Sequence, residues 1–195
     1  MCSNKRSKEG TIMKFKKGLT GAAFVLLLFF SLINHVWAYS YTGKKWNNPS
    51  TLKVYYDSSL NQTNNAGYTY ASIFSDALYQ WMDKLNYKIL FTQVSSGNDI
   101  FLHVSNWGNI GWDGQADWYY NGNLIYYAAA RLNTYYSNGY QFNTARGVAV
   151  HEIGHVLGLD HVSNTYAVMY HTTSGRVPTI PATDDINGVK NLYNF

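Results

Sequence analysis

Apolar side chains recur along residues 70–86 at the spacing of one helical face. Phe74, Ala77, Leu78, Trp81 and Leu85 stand three or four apart, which predicts an amphipathic helix laid against a core. Ahead of it, residues 51–57 read TLKVYYD, β-branched and aromatic with a turn signal behind them, the pattern of a strand. Two more strands are expected over 89–94 and 99–104, the second bounded by Ser-Gly-Asn and Asn-Trp-Gly. A strand, a helix and then strands imply a βαβ start and a parallel sheet. Residues 106–117, rich in Gly, Asn and Trp, read as a loop. The apolar and aromatic runs 117–120 and 124–133 are split by Asn121-Gly122-Asn123, and Asn-Gly accepts the positive φ of a tight hairpin turn. One strand therefore runs antiparallel to its neighbour, and at a sheet edge its unpaired backbone could hold an extended peptide. A further helix is expected from a cap at Asn143 or Thr144. A last one is expected after Thr183, with Asp184 and Asp185 in its first turn, where the helix dipole favours negative charge. Ile186, Val189 and Tyr193 mark its buried side.

Charge changes the picture only after the chain is divided. The 195 residues carry a formal net charge of +4, which on its own suggests an anionic partner. Residues 1–38 hold six of the 15 Lys/Arg and one of the 11 Asp/Glu, so residues 39–195 keep nine basic and ten acidic side chains, a net of −1. No basic cluster with interleaved aromatics is left for phosphates, which argues against nucleic-acid binding. The basic segment reads as a secretory leader. Lys14, Lys16 and Lys17 precede an apolar run over 22–33, and Val36-Trp37-Ala38 offers a small residue for cleavage after Ala38. Met13 is taken as the initiator, with residues 1–12 an upstream extension. The apolar run is shorter than the roughly 20 residues of a membrane-spanning helix, so no stable insertion is expected once the leader is cut. The single cysteine, Cys2, lies in this leader. The mature part, residues 39–195, is expected to be one extracellular domain held by a packed core rather than by disulfides.

The chemistry concentrates in eleven residues, His151-Glu-Ile-Gly-His-Val-Leu-Gly-Leu-Asp-His161, which spell H-E-x-x-H-x-x-G-x-x-H. On a helix, four residues turn the chain by about 400°, so His151 and His155 share a face and can reach one ion. Glu152 lies about 100° round from His151. There a carboxylate can take a proton from an attacking water and hand it to a leaving amine. Gly158 can leave the helix with positive φ and bring His161 back as a third ligand. Three protein ligands leave a position open, the mark of a catalytic rather than a structural zinc. Background abundance does not account for the cluster, since Glu152 is the only glutamate outside the leader and three of the five histidines there belong to it.

With these residues in hand, the chain resembles the metzincin zinc endopeptidases, and among them the matrixin-like branch. The histidine motif matches, Val168-Met169-Tyr170 looks like the Met-turn, and DDINGVKNLY from Asp184 to Tyr193 is similar to the matrixin C-terminal helix. Lys45-Trp46 ahead of the first strand fits the same branch. The resemblance implies an α+β, zincin-like fold: a twisted, mostly parallel five-stranded sheet with one antiparallel edge strand near 117–120, an active-site helix and a C-terminal helix. It further implies that His151, His155 and His161 bind one catalytic Zn2+, that Glu152 is general base and acid, and that Met169 supplies a hydrophobic floor. The substrate would be a protein or peptide aligned on the edge strand, with residues 171–180 walling the leaving-group side. His103 and His171, the other two histidines beyond the leader, are too few for the extra zinc site of many animal matrixins. Calcium at Asp113, Asp117 or Asn121 is conceivable, yet turn chemistry explains those residues equally well, and the oligomeric state stays open.

A reading from another class is a secreted, aromatic-rich module that binds carbohydrate or cell wall around a structural metal. The six tryptophans and 18 tyrosines motivate it, though aromatics also fill cores and strand faces. A binding module has no need of a carboxylate at position 152, which favours the endopeptidase.

Overall fold

The computed structural model describes residues 39–195, so the leader and its cleavage after Ala38 lie outside the described residues. Two short strands open the chain, β1 (Ser40–Tyr41) and β2 (Lys45–Trp46), followed by β3 (Thr51–Tyr56), a 3-10 turn (Ser58–Asn61) and helix α1 (Tyr70–Lys84). Next come β4 (Leu90–Gln93), β5 (Ile100–Ser105), β6 (Gly114–Asn121) and β7 (Leu124–Asn133), then a short helix α2 (Thr134–Ser137). Helix α3 (Phe142–Val156), strand β8 (Leu159–Asp160) and helix α4 (Thr183–Tyr193) complete the chain.

The main sheet runs β4-β3-β5-β7-β6, parallel throughout except for β6, which pairs antiparallel with β7 at the edge. The expected mostly parallel sheet with one antiparallel edge is therefore present, with six strands rather than five once β2 is counted. Two-residue β2 adds a parallel partner at the start of β7. The edge strand begins at Gly114, earlier than 117, so the end of the predicted loop is strand. Its cross-strand register with β7, Gly114↔Leu132 through Asp117↔Ala129, extends the ladder into a stretch whose glycine and tryptophan content alone reads as irregular.

Strand side chains alternate between two faces. Val54, Ile100 and Ala128 are register partners, and they lie on one face with buried Leu52, Leu102, Val104, Ala130 and Leu132. Helices α1 and α3 supply the other half of this core. α1 starts where Thr69 Oγ1 accepts from the Ser72 amide at 3.2 Å, and it buries Tyr70, Ile73, Phe74, Ala77, Leu78 and Trp81, the stripe that the spacing predicts. Each such side chain contributes about 1.5–3 kcal/mol by leaving water, and removal of Trp81 would cost most in packing. The opposite face carries Tyr55, Phe101 and His103, with Tyr55 stacked on Phe101 at 5.7 Å.

Helix α3 is buried on all sides from Val148 to Val156, as a helix through the centre of a fold must be. Its cap differs from the expectation at Asn143 or Thr144: Gln141 occupies the N-cap without a side-chain bond. Phe142 packs against the core and meets Tyr68 ring to ring at 5.0 Å, so tertiary packing starts the helix two or three residues ahead of the polar signal. The other end is held by side chains. Indole donors of Trp118 and Trp46 reach the His155 and Val156 carbonyls at 2.8 and 2.9 Å, and the Tyr193 hydroxyl donates to Leu157 O at 3.0 Å. These groups occupy carbonyls that a helix terminus leaves without intrahelical partners. At α4 the N-cap is Ala182, with Thr183 the first helical residue. Among the described residues no helix is long and apolar enough to cross a membrane.

Candidate active site

His151 and His155 stand one turn apart on α3, buried and facing the same way. At Gly158 the backbone takes φ +97°, and a Cβ there would fall 2.5 Å from the Lys44 carbonyl oxygen, so only glycine fits both the turn and the close approach. The chain then forms β8, which β1 pairs antiparallel through Ser40↔Asp160 and Tyr41↔Leu159. The Thr42 amide donates to Gly158 O at 3.0 Å. This clasp fixes the path to His161, which lies at the exposed rim. Nothing in the local pattern of residues 40–42 announces it, because it forms between segments more than a hundred residues apart.

The three Nε2 atoms converge, with His151 3.1 Å from both His155 and His161, and His155 3.0 Å from His161. His151 Nδ1 lies 2.8 Å from Val168 O and His155 Nδ1 2.8 Å from Leu159 O. A carbonyl only accepts, so each Nδ1 carries the proton and each Nε2 turns a bare lone pair inward. Lone pairs facing one another at 3 Å repel unless a cation sits among them. Ligands of a tetrahedral zinc at about 2.0–2.1 Å would stand about 3.3 Å apart, within a few tenths of the spacing here. Burial lowers the pKa of all three imidazoles, His155 to about 4 and His151 well below its usual value, so the rings stay neutral as metal ligands require. Among the described residues this is the one group of histidine, cysteine or carboxylate side chains that could hold a metal ion.

Val168 and Met169 lie in a turn, with the Met169 side chain packed against Gly154 of α3. The turn is pinned by Asp185, whose Oδ2 accepts from the Val168 and Ala182 amides at 2.8 Å each and whose Oδ1 accepts from Met169 N at 3.1 Å. Its position in a first helical turn predicts a dipole role; the structure adds this anchorage, which runs from Asp185 through Val168 to His151. Burial raises the Asp185 pKa against the pull of these hydrogen bonds.

Glu152 is buried beside the triad. Burial pushes its pKa up to about 8, Asp113 adds to the rise, and Arg176 and Arg131 oppose it. The side chain lines a cleft of about 630 Å³ together with the three histidines, the first half of β6, and residues of the 171–176 segment. Of the wall expected over 171–180, residues 171–174 and 176 line the cleft. This segment is tied across the cleft by Asp113, whose Oδ2 accepts from Thr173 Oγ1 at 2.5 Å and from the Tyr140 hydroxyl at 3.2 Å. Arg176, held inside the wall, donates to Thr173 Oγ1 and Val168 O at 3.4 Å. Of the residues considered for calcium, Asp113 is thus engaged by hydroxyls and Asp117 by an ion pair with Arg131. Sequence spacing did not single out Arg176, Thr173 or Tyr140. Asp113, the partner of Thr173 and Tyr140, is distant from both in the chain, and the only available signal was an arginine amid an uncharged stretch downstream of Met169.

The matrixin family model matches residues 45–194. The chain is 51% identical over 49 residues to Metalloendoproteinase 1 of Glycine max, a stretch covering 25% of this chain and 16% of that protein. It is 49% identical over 47 residues to Metalloendoproteinase 2-MMP of Arabidopsis thaliana, covering 24% and 12%. Over 49 residues it is 45% identical to Stromelysin-1 of Equus caballus, covering 24% and 10%. The matched stretch is therefore under a fifth of the length of these relatives. Among solved structures, the GM1-bound form of the ECX AB5 holotoxin aligns with a TM-score of 0.56 at 16% identity, over 77% of this chain and 84% of that one, a likeness of fold alone.

Proposed function

The chain belongs to the matrixin family, and from that premise we propose that it is a zinc-dependent endopeptidase that hydrolyses internal peptide bonds of proteins or peptides. The observation that carries this reading is the convergence of three imidazole Nε2 atoms, those of His151 and His155 freed of the proton by their Nδ1 bonds to carbonyls, beside a buried carboxylate in one open cleft. His151, His155 and His161 would hold the ion. When bound, zinc supplies a Lewis acid that polarises a carbonyl and makes water a nucleophile near neutral pH. Val168 O and Leu159 O keep the His151 and His155 rings in the tautomer and orientation that ligation needs.

Glu152 takes the proton of the attacking water and passes it to the departing nitrogen. Its place on α3, one residue from the ligand His151 and lining the same cleft, puts the carboxylate where it can reach both the water and the leaving nitrogen. The first half of β6 lines the cleft with one backbone edge unpaired, so an extended substrate can add to it as a further strand. Thr173, Arg176 and Tyr140 then flank the leaving-group side. The leader pattern supports secretion with cleavage after Ala38, which N-terminal sequencing of the exported protein checks.

The purified protein is expected to cut an unfolded protein substrate, to stop when zinc is stripped and to resume when it is restored. Glu152→Ala should keep the zinc and lose nearly all cleavage. Equal activity with and without the carboxylate would reject the mechanism. A folded, zinc-loaded wild type that cuts nothing would favour the carbohydrate-binding reading.

A further inference from the structure

Glu152 has an unusual neighbour across the cleft. A Cβ placed on Gly114 would lie 2.5 Å from Glu152 Oε1, 2.8 Å from Glu152 Cγ and 2.7 Å from Val148 Cγ1. Gly114 is not among the glycines with positive φ, so glycine is needed here for space and not for backbone freedom. Val148 and Glu152 are four apart on α3 and share a face, and the bare Cα of Gly114 closes against both.

Neither side can back away easily. β6 is paired to β7 with Gly114 opposite Leu132. Just before it, Asp113 is fixed by its carbonyl, which accepts from Asn133 N at 2.9 Å, and by its carboxylate bonds to Thr173 and Tyr140. Further along, the Trp118 indole ties β6 to the His155 carbonyl at 2.8 Å. α3 is buried throughout this stretch. The softest element at the contact is the Glu152 side chain itself, which borders open cleft.

We propose that Gly114 is a positioning residue for Glu152: the missing side chain leaves a slot between edge strand and helix that sets where the carboxylate meets the attacking water. The edge strand thus has two tasks, presenting backbone to substrate and gauging the carboxylate. This rests on Glu152 as the general base. Any side chain at position 114 turns the carboxylate into the cleft, and a displacement of about 1 Å at a reacting group costs on the order of 10²-fold in rate.

The test uses the full chain with Val148→Ala in every background, so that only the contact with Glu152 is probed. Zinc content, kcat, KM on a peptide substrate and urea midpoint are compared for V148A, V148A/G114A, V148A/E152A and the triple variant. The expected result is one zinc per chain in V148A/G114A, kcat lower by about 10²-fold and KM changed less than threefold. G114A should also lower the urea midpoint less when residue 152 is alanine, because Cγ and Oε1 are then gone. Unchanged kcat in zinc-loaded V148A/G114A, a loss confined to KM, or an equal midpoint drop in both backgrounds would overturn the proposal. If V148A/G114A does not fold, recovery of the fold in the triple variant supports it and absence of recovery overturns it. Cleavage that survives in V148A/E152A would sink the general-base reading instead, while leaving the midpoint comparison intact.

Discussion

The two sides of the cleft are built by different rules. On the floor, the two rings carried by α3 are oriented by bonds from side chain to backbone, His151 to Val168 O and His155 to Leu159 O, and Asp185 in turn holds the Val168 and Met169 amides. On the wall, side chains mostly hold side chains: Thr173 and Tyr140 to Asp113, and Arg176 to Thr173, with Arg176 also reaching Val168 O of the floor. Backbone acceptors do not change when a residue is substituted, so the floor fixes a chemistry. Side-chain pairs change with every substitution, so the wall can be retuned for substrate at Thr173 and Tyr140, which do not touch the floor, while Arg176 links the two through Val168 O.

The largest effect that this contrast predicts is at the floor. His155→Ala removes a ligand and a buried ring together, and it should abolish both zinc retention on dialysis and peptide cleavage while the wild type keeps one ion per chain. Zinc still bound at wild-type affinity would mean that the three nitrogens do not act as one site. Asp185→Ala comes next. It strands three amide donors, those of Val168, Met169 and Ala182, each costing about 1–3 kcal/mol when buried without a partner. A loss of roughly 3–6 kcal/mol in unfolding free energy is expected, together with zinc affinity lower by about 10–100-fold as the Val168 carbonyl shifts from His151. Asp185→Asn should lose less, because burial already raises this carboxyl's pKa and one acceptor oxygen survives. Urea titration and competition with a zinc chelator measure both.

The same contrast explains what the sequence reveals. The floor is local: His151, Glu152 and His155 lie within five residues on one helix, and period and spacing suffice to place them. Helix α1 and strands β3 and β5 are legible for the same reason, since their alternation or helical stripe is set by which side faces the core. The two-residue strands β1 and β8 are not, being too short for any period and existing only because residues 40–42 meet residues 158–160. The start of α3 is misplaced because an aromatic contact, Phe142 on Tyr68, outweighs the capping preference of Asn143 or Thr144. The wall stays hidden because Asp113, Tyr140, Thr173 and Arg176 come from three separate segments, and a hydroxyl's partner leaves no trace in the residues beside it. Gly114 is hidden in the same way: a glycine in a loop-like stretch reads as flexibility, whereas its place in the fold demands space.

A substitution of a wall hydroxyl that does not itself touch the floor should leave the floor in place. Thr173→Val keeps shape and removes the hydroxyl that donates to Asp113 and accepts from Arg176. Stability is expected to fall by about 1 kcal/mol, with zinc affinity unchanged. Across peptides that differ only in the residue after the scissile bond, the ranking of kcat/KM should shift by up to about tenfold, the equivalent of about 1.4 kcal/mol. A drop in zinc affinity, or a uniform loss for every peptide, would show that wall and floor are coupled after all.

The smallest expected effect separates the two sides by pH. In the metal-free floor, His155 titrates near 4 in the fold against 6.5 for a free imidazole, so between those values the unfolded chain binds more protons. Stability therefore rises with pH through that window and is lost as pH falls through it. The wall has the opposite sign at the other end of the scale. Burial and the neighbouring Asp113 push the Tyr140 pKa from 10 up to about 12, so between 10 and 12 the folded chain binds more protons, and stability falls as pH rises. Tyr140→Phe isolates the second term, because phenylalanine cannot ionise. The stability advantage of wild type over Tyr140→Phe should be constant from pH 7 to 9 and shrink from pH 10 upward. A gap that stays level through pH 11 would mean that the hydroxyl is not held against Asp113, and that the wall is looser than its bonds imply.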